Sequence, residues 1–184
     1  FNNQIVNNLN SSPGTYLWTI PNAIGTNLRV KVNDYNDQGA SDTSNNTFSI
    51  KGSLLVTRPN GGEDFLKGTN QSINWTPTGS YPGTVDISYS NNSGANWTVV
   101  GSAPSGTDNV TQTWNWPAVP DDISSTTLVK VETNSSASIQ VNDTSNSTFR
   151  IKGSLSVSEP NGNEIWYVDD TNRQIKWSSV GTVT

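Results

Sequence analysis

Carboxylates and asparagine amides carry whatever chemistry this sequence has, because the usual catalytic side chains are missing: its 184 residues include no Cys, no His and no Met. Zinc-finger ligand sets, thiol nucleophiles and imidazole bases are therefore absent, and Ser-His-Asp and Cys-His catalysis drop out with them. A pair of close carboxylates would suffice for a glycosidase. Yet the one acid near a turn that recurs along the chain, Glu63 with Glu164, has no recurring acidic companion except the distant Asp42 and Asp143. No enzyme is expected from this set.

Two other kinds of site are written in the polar residues. Asp34, Asn36 and Gln38, with Gly39 at the sixth place and Asp42 at the ninth, space oxygen donors like the opening of a calcium loop. The twelfth place holds Asn45 instead of the bidentate Glu of such loops. Asp34, Asn36 and Asp42 are thus the calcium candidates, set against a plain loop between two strands, and no other cofactor is expected. Asn-x-Ser/Thr sequons begin at Asn10, Asn45, Asn70, Asn74, Asn91, Asn96, Asn109, Asn134, Asn142 and Asn146. Each is a candidate for an N-linked glycan if it lies on an exposed loop of a secreted protein.

Composition narrows the partners. A net charge of −5 and a pI near 4.5 repel phosphate backbones and leave no basic patch, so neither nucleic acid nor an anionic membrane surface is expected. Hydrophobic residues make up 31% and charged residues 14%, both below the roughly 45–50% and about 25% of ordinary globular chains. Asn, Ser and Thr fill the difference with 25, 25 and 22 residues, a neutral polar coat of the kind found on extracellular and cell-surface proteins. No stretch approaches the roughly 18 consecutive apolar residues of a membrane span, and the first residues lack the order of a signal peptide. Any targeting signal is expected outside this sequence. Without Cys, the fold must be held by a core instead of disulfides.

The elements that position these residues follow from an internal repeat. Asp42–Leu54, "DTSNNTFSIKGSL", recurs as Asp143–Leu155, "DTSNSTFRIKGSL", at an offset of 101, and "RPNGGE" from Arg58 recurs as "EPNGNE" from Glu159. Trp75 matches Trp177 at offset 102, Val30 and Val32 match Val129 and Val131 at 99, and Trp18 and Pro21 match Trp114 and Pro117 at 96. Carried further, Phe1 falls on Trp97, and "GTVT" from Gly181 matches "GTVD" from Gly83. The expected division is therefore 1–52 as the later part of one unit, 53–152 as a complete unit and 153–184 as the first part of another.

Within the complete unit, seven short runs alternate apolar and polar residues and none has helical spacing. They centre on Leu54 and Val56; Ile73 and Trp75; Val85, Ile87 and Tyr89; Trp97 to Val100; Trp114 and Trp116; Val129 and Val131; and Phe149 and Ile151. Seven strands in about 100 residues predict a β-sandwich. Seven Trp invite sugar stacking, with Tyr16, Tyr81 and Tyr167 as further platform candidates. However, Trp114 and Trp116 match Trp18 and Ile20, Trp97 matches Phe1, and Trp166 matches Phe65. Positions that accept any large apolar residue in phase with strand alternation are core positions.

The polar run Ser90–Asn96 between Tyr89 and Trp97 resembles the Asp-box, a hairpin motif of Ser, Asp, Gly, Thr and Trp, here Ser90, Asn92, Gly94, Asn96 and Trp97, with Asn replacing Asp and Thr. The resemblance implies a folding turn remote from any active site. Over the whole chain, "LLVTRPNGGEDF", "INW", "ISYSNNSGANW", "WNWP" and "TFRIKG" resemble the tandem immunoglobulin-like or fibronectin-III-like repeats of large prokaryotic surface proteins, and are similar to a β-sandwich repeat of some fungal cell-wall proteins. That likeness implies an all-β chain of tandem seven-stranded immunoglobulin-like β-sandwiches, end to end, and supplies no catalytic residue.

Only Lys152, Gly153 and Ser154 separate Ile151 from the first strand residue of the next unit, too little for a flexible linker. The expectation is a semi-rigid rod advancing roughly 30–40 Å per unit, from strands of about ten residues at about 3.3 Å each. It would serve as a structural segment of an extracellular fibre, stalk or surface-layer protein, with a carbohydrate-binding adhesin as the alternative. Its expected partners are neighbouring copies of the same repeat, in the same chain or in adjacent subunits, and, for the adhesin, glycans. The two outer segments carry apolar faces, Trp18, Ile20, Val30 and Val32 in one and Leu155, Val157, Ile175 and Trp177 in the other, that such copies would cover.

Overall fold

The computed structural model of the chain describes residues 3–10, 14–37, 39–134 and 139–183. Among these residues there is no helix, and the strands are β1 (Gly25–Leu28), β2 (Lys31–Asn33), β3 (Ser41–Thr43), β4 (Phe48–Ile50), β5 (Ser53–Arg58), β6 (Asp64–Leu66), β7 (Gln71–Thr78), β8 (Thr84–Ser90), β9 (Thr98–Pro104), β10 (Gln112–Trp116), β11 (Ser124–Thr133), β12 (Asn142–Thr144), β13 (Phe149–Lys152), β14 (Ser154–Glu159) and β15 (Lys176–Val180). All seven alternating runs of the complete unit are strands. Two further strands, β6 and β12, are three residues long, too short to show a period.

In residues 53–152 two sheets share one core. One has the order β10-β7-β5; the other has the order β6-β13-β11-β8-β9, with β12 continuing beside β11. Alternation turns Leu54 and Val56 of β5, Ile73 and Trp75 of β7, Val85, Ile87 and Tyr89 of β8, Val129 and Val131 of β11, and Phe149 and Ile151 of β13 into a single buried cluster. Phe65 stacks at a tilt on Phe149 with ring centroids 4.8 Å apart. Each such side chain contributes about 1.5–3 kcal/mol by leaving water. Trp75 is 1% and Trp116 3% exposed. Trp114, expected to be buried too, is only partly so: it sits at the sheet edge, its indole lying over Gly101, where a Cβ would fall 2.2 Å from the ring.

Edges are closed by specific bonds. Between β5 and β6 the chain crosses from one sheet to the other. There the Glu63 carboxylate accepts the amides of Asn60 and Gly61 at 2.8 Å each. The Val56 amide, on the open side of β5, donates to Asp143 Oδ2 of β12 at 2.7 Å, tying the sheets together across that edge.

The outer segments form two-stranded pieces: β1 with β4, β2 with β3, and β14 with β15. Residues 3–10 and 14–24 hold no strand. Trp18 instead packs edge-on against Phe48, with centroids 6.3 Å apart. In the central unit β10 takes its ladder from β7; among the described residues no strand pairs with the segment around Trp18. The register of β15 also corrects one repeat match. Ser53 pairs with Thr78 and Ser154 with Val180, so Gly181 is the counterpart of Gly79, not Gly83. Both glycines have a left-handed backbone, with φ of 91° and 84°.

Candidate functional site

The two passages between units, at Gly52 and at Gly153, are built alike. A Cβ at Gly52 would lie 1.9 Å from the Thr78 carbonyl oxygen and 2.8 Å from the Tyr81 hydroxyl; at Gly153 it would lie 2.3 Å from the Val180 carbonyl and 2.6 Å from Val183 Cγ2. Neither glycine has positive φ, so glycine is required for room and not for backbone conformation.

Across each passage, a side chain of the earlier unit caps the turn that follows the strand paired with the later unit's first strand. At the first, Asn22 Oδ1 accepts the Ser80 amide at 2.9 Å, and its Nδ2 donates to Ser80 Oγ and Asp108 Oδ2, both at 3.1 Å. Asp108 Oδ1 in turn accepts the Gly79 amide at 2.6 Å. At the second, Asp121 Oδ1 accepts the Thr182 amide at 2.9 Å, and Thr182 Oγ1 donates to Asp121 Oδ2 at 3.1 Å. The Thr182 amide holds the Asp121 carboxyl below its ordinary pKa. An apolar contact lies beside each cap. A Cβ at Gly79 would meet Ile24 Cδ1 at 2.7 Å, and one at Gly181 would meet Ile123 Cδ1 at 3.3 Å.

Sequence reasoning found the short passage at Gly153 but missed Asn22, Ile24, Gly79, Asp108, Asp121 and Ile123. The signal was present: the offset of 99 that matches Val30 to Val129 also matches Asn22 to Asp121 and Ile24 to Ile123.

The calcium candidates lie in and around the turn between β2 and β3. Asp34 Oδ1 accepts the amides of Asn36 at 2.8 Å and Asp37 at 2.9 Å, closing a turn after β2. Those amides hold its pKa down, that of Asp37 most. Asp42 sits in β3 opposite Val32, and its counterpart Asp143 holds the Val56 amide. Gln38 lies outside the described residues. Among the described residues no three acidic side chains come together in a way that could hold a metal.

Ser90–Asn96 is a self-satisfied turn. Ser90 Oγ accepts the Gly94 amide and donates to Asn92 Oδ1, both at 2.8 Å, and Asn92 Oδ1 accepts the Asn96 amide at 2.9 Å. Lys130 Nζ lies 5.2 Å from the Trp97 ring centroid, covering the indole. The recurring acid Glu63 is likewise a turn clamp. Burial opposes its charge, but the Asn60, Gly61 and Glu63 amides together with the Arg58 charge outweigh burial and lower its pKa. Glu164 repeats the clamp on Asn161 and Gly162 at 2.9 and 2.7 Å. An open groove of about 360 Å³ is lined by Tyr89, Thr98, Val100, Trp116, Pro117, Ala118 and Pro120. Tyr89 and Trp116 are core residues, so the groove leaves no open aromatic face for a sugar. Burial, with Asp122 accepting its hydroxyl, pushes the Tyr89 phenol up to about 12.

Of the ten sequons, Asn74 lies within β7 between two paired neighbours. Asn70 precedes β7, and Asn142 begins β12. Asn91, Asn96 and Asn109 belong to tight turns, and Asn45 and Asn146 to the exposed loops before β4 and β13. Asn10 and Asn134 are described, but the hydroxyl residues of their sequons lie outside the described residues. No family model matches the sequence, and a search of curated proteins finds no relative.

Proposed function

We propose that the chain is a structural segment of an extracellular fibre, stalk or surface-layer protein, built of tandem immunoglobulin-like sandwiches joined end to end as a semi-rigid rod, each seven-stranded when β5 with β6 and β12 with β13 count as single interrupted strands. The observation that carries this reading is the joint made twice, with Asn22, Ile24, Gly52, Gly79 and Ser80 at one passage and Asp121, Ile123, Gly153, Gly181 and Thr182 at the next. A linker that merely connected domains would have no reason to keep five positions in contact. Two hydrogen-bonded caps and an apolar contact, by contrast, restrict how one unit can swing against its neighbour.

The strand order β5-β7-β10 over β9-β8-β11 with β12 and β13 supports the immunoglobulin-like description, β6 pairing in parallel with β13 as the first strand switches sheets. Neighbouring copies of the same repeat are the proposed partners. Leu155, Val157 and Trp177 are 60%, 50% and 63% exposed, whereas their counterparts Leu54, Val56 and Trp75 are buried by an opposing sheet. Buried Trp75 and Trp116 also remove two indoles from the sugar-binding alternative. Electron microscopy of the native material tests the reading: filaments or a regular surface array are expected, and monodisperse globular particles would overturn it.

A further inference from the structure

We propose that Asn45 and Asn146 are the sites at which this protein receives an N-linked glycan, one per repeat, on a loop the fold builds for exposure. The inference rests on the extracellular fibre reading and adds a modification to it.

The residue before each sequon is fixed by the same pair of bonds. Ser44 donates its amide to the Val30 carbonyl at 2.9 Å and accepts the Val30 amide on Oγ at 3.3 Å. Ser145 does the same with Val129, at 2.9 and 3.2 Å. This clamp halts the ladder between β3 and β4, and between β12 and β13, and the next three residues leave the sheet. Asn45, Asn46 and Thr47 are all exposed, as are Asn146, Ser147 and Thr148. On the second loop the backbone is steadied from behind, the Asn146 amide donating to Asn60 Oδ1 at 2.7 Å and the Gly62 amide to the Thr148 carbonyl at 3.0 Å. The acceptor amide and the hydroxyl two residues on thus face solvent together, as a transferase requires.

Asn74, Asn91, Asn109 and Asn142 are held differently, although exposure alone does not separate Asn91 and Asn96 from the two loops. Asn74 has a buried side-chain oxygen and lies mid-ladder. The Asn109 backbone is left-handed, with φ of 57° and its amide on the Pro77 carbonyl. The Asn91 sequon is folded into the turn in which the Ser93 amide bonds the Thr126 carbonyl, and the Asn91 carbonyl accepts the Ser124 and Thr126 hydroxyls. Asn142 precedes Asp143, which is engaged with Val56.

The donor is a lipid-pyrophosphate-linked oligosaccharide. The asparagine side-chain nitrogen attacks the anomeric carbon, a C–N bond forms, the C–O bond to the diphosphate breaks, and the lipid diphosphate leaves with the electron pair while the amide proton passes to a base of the transferase. A glycan here would stand where β12 gives way to β13, beside the edge at which Asp143 meets β5, and would keep that edge from pairing with another chain.

Native material digested to peptides and treated with peptide-N-glycosidase in ¹⁸O-water gives the test. Label at Asn45 and Asn146, with none at Asn74 and Asn109, is expected; unlabelled Asn45 and Asn146, with or without label elsewhere, overturns the proposal. Microscopy of the same sample separates the two readings. Filaments with bare loops would sink the glycan alone, and glycosylated globular particles would sink the fibre alone. Thr47→Ala and Thr148→Ala, which keep each asparagine, should abolish label at their own loops and leave the melting temperature unchanged.

Discussion

Replacing Gly52 by Ala asks whether the joint is as tight as its geometry implies. Where the native backbone conformation suits alanine without strain, Gly→Ala stabilises a protein by about 0.4–1 kcal/mol, because the unfolded chain loses freedom. Here the added Cβ would stand 1.9 Å from the Thr78 carbonyl oxygen, where real Cβ contacts essentially never fall below 3.0 Å. The obstacle is backbone at the end of the β5–β7 ladder, where Ser53 pairs with Thr78, so no side-chain rotation can relieve it. Either that last pair opens, or Lys51 and Gly52 tilt and carry β4 with them. Overpacking of this kind costs about 1–3 kcal/mol, more than the entropic gain. A loss of about 1 kcal/mol lowers the melting temperature of a domain near 100 residues by roughly 4–8 °C. The assay is calorimetry together with small-angle scattering of the whole chain. Gly25→Ala serves as control, since its nearest atoms would be 3.7 and 3.9 Å away and its φ is not positive. A lower melting temperature and a changed pair-distance distribution are expected for Gly52→Ala alone. If both variants behave like the parent, the passage at Gly52 is loose and the rod argument fails at its first joint.

Trp75→Ala should cost about 3–5 kcal/mol in denaturant unfolding, since it empties the core and strips the Ser105 carbonyl of its 3.0 Å partner. Asp143→Ala leaves the Val56 amide unpaired and should cost about 1–3 kcal/mol, whereas Asp143→Asn, which keeps an acceptor oxygen, should cost less. Asp121→Ala should speed hydrogen exchange at the Thr182 amide while Asp121→Asn leaves it slow, because Asn22 already performs the same task with a neutral amide. Acid should weaken the fold. Glu63 and Glu164 have folded pKa values below their ordinary 4.5, so their contribution is complete above that value and is lost as pH falls through the folded value. A melting temperature level from pH 7 to about 5 and falling below 4.5 is expected, with a shallower fall in Glu63→Gln. The Asp64 ion pairs with Arg150 and Lys152, whose carboxyl sits at about 2, should outlast the Glu63 clamp.

What could be read from the sequence, and what could not, divides along a physical line. Burial follows side-chain alternation, so Leu54, Val56, Ile73, Trp75, Val129 and Val131 declared themselves. The turn at Ser90–Asn96 was legible because its bonds run between residues two and four apart. The bonds of Asn22 and Asp121 were not, although the repeat offset matches the two residues: the bonds span 58 and 61 residues and depend on where two units meet. The role of Asp143 was hidden for the same reason, because it reaches a backbone amide 87 positions away. Spacing along the chain also placed "GTVT" on Gly83, until the pairing of Val180 with Ser154 moved it to Gly79.

Three positions differ between the two joints while Ile24 with Ile123, Gly52 with Gly153 and Gly79 with Gly181 are the same, and this pattern bears most directly on function. Asn22 becomes Asp121, Ser80 becomes Thr182, and Tyr81 becomes Val183. Yet a side-chain oxygen still accepts the second amide of the turn, and a large side chain still roofs the linking glycine. Chemistry at these places varies while geometry stays, the opposite of what a ligand site would show. A ligand site fixes its functional groups, because a bound molecule reads their charge; here a neutral amide and a carboxylate serve alike. What holds constant is the space around Gly52 and Gly153, together with the left-handed turn at Gly79 and Gly181. Those features set the position of one unit against the next. What repeats at the two joints is therefore their packing, and the proposed fibre would need that packing kept from one unit to the next.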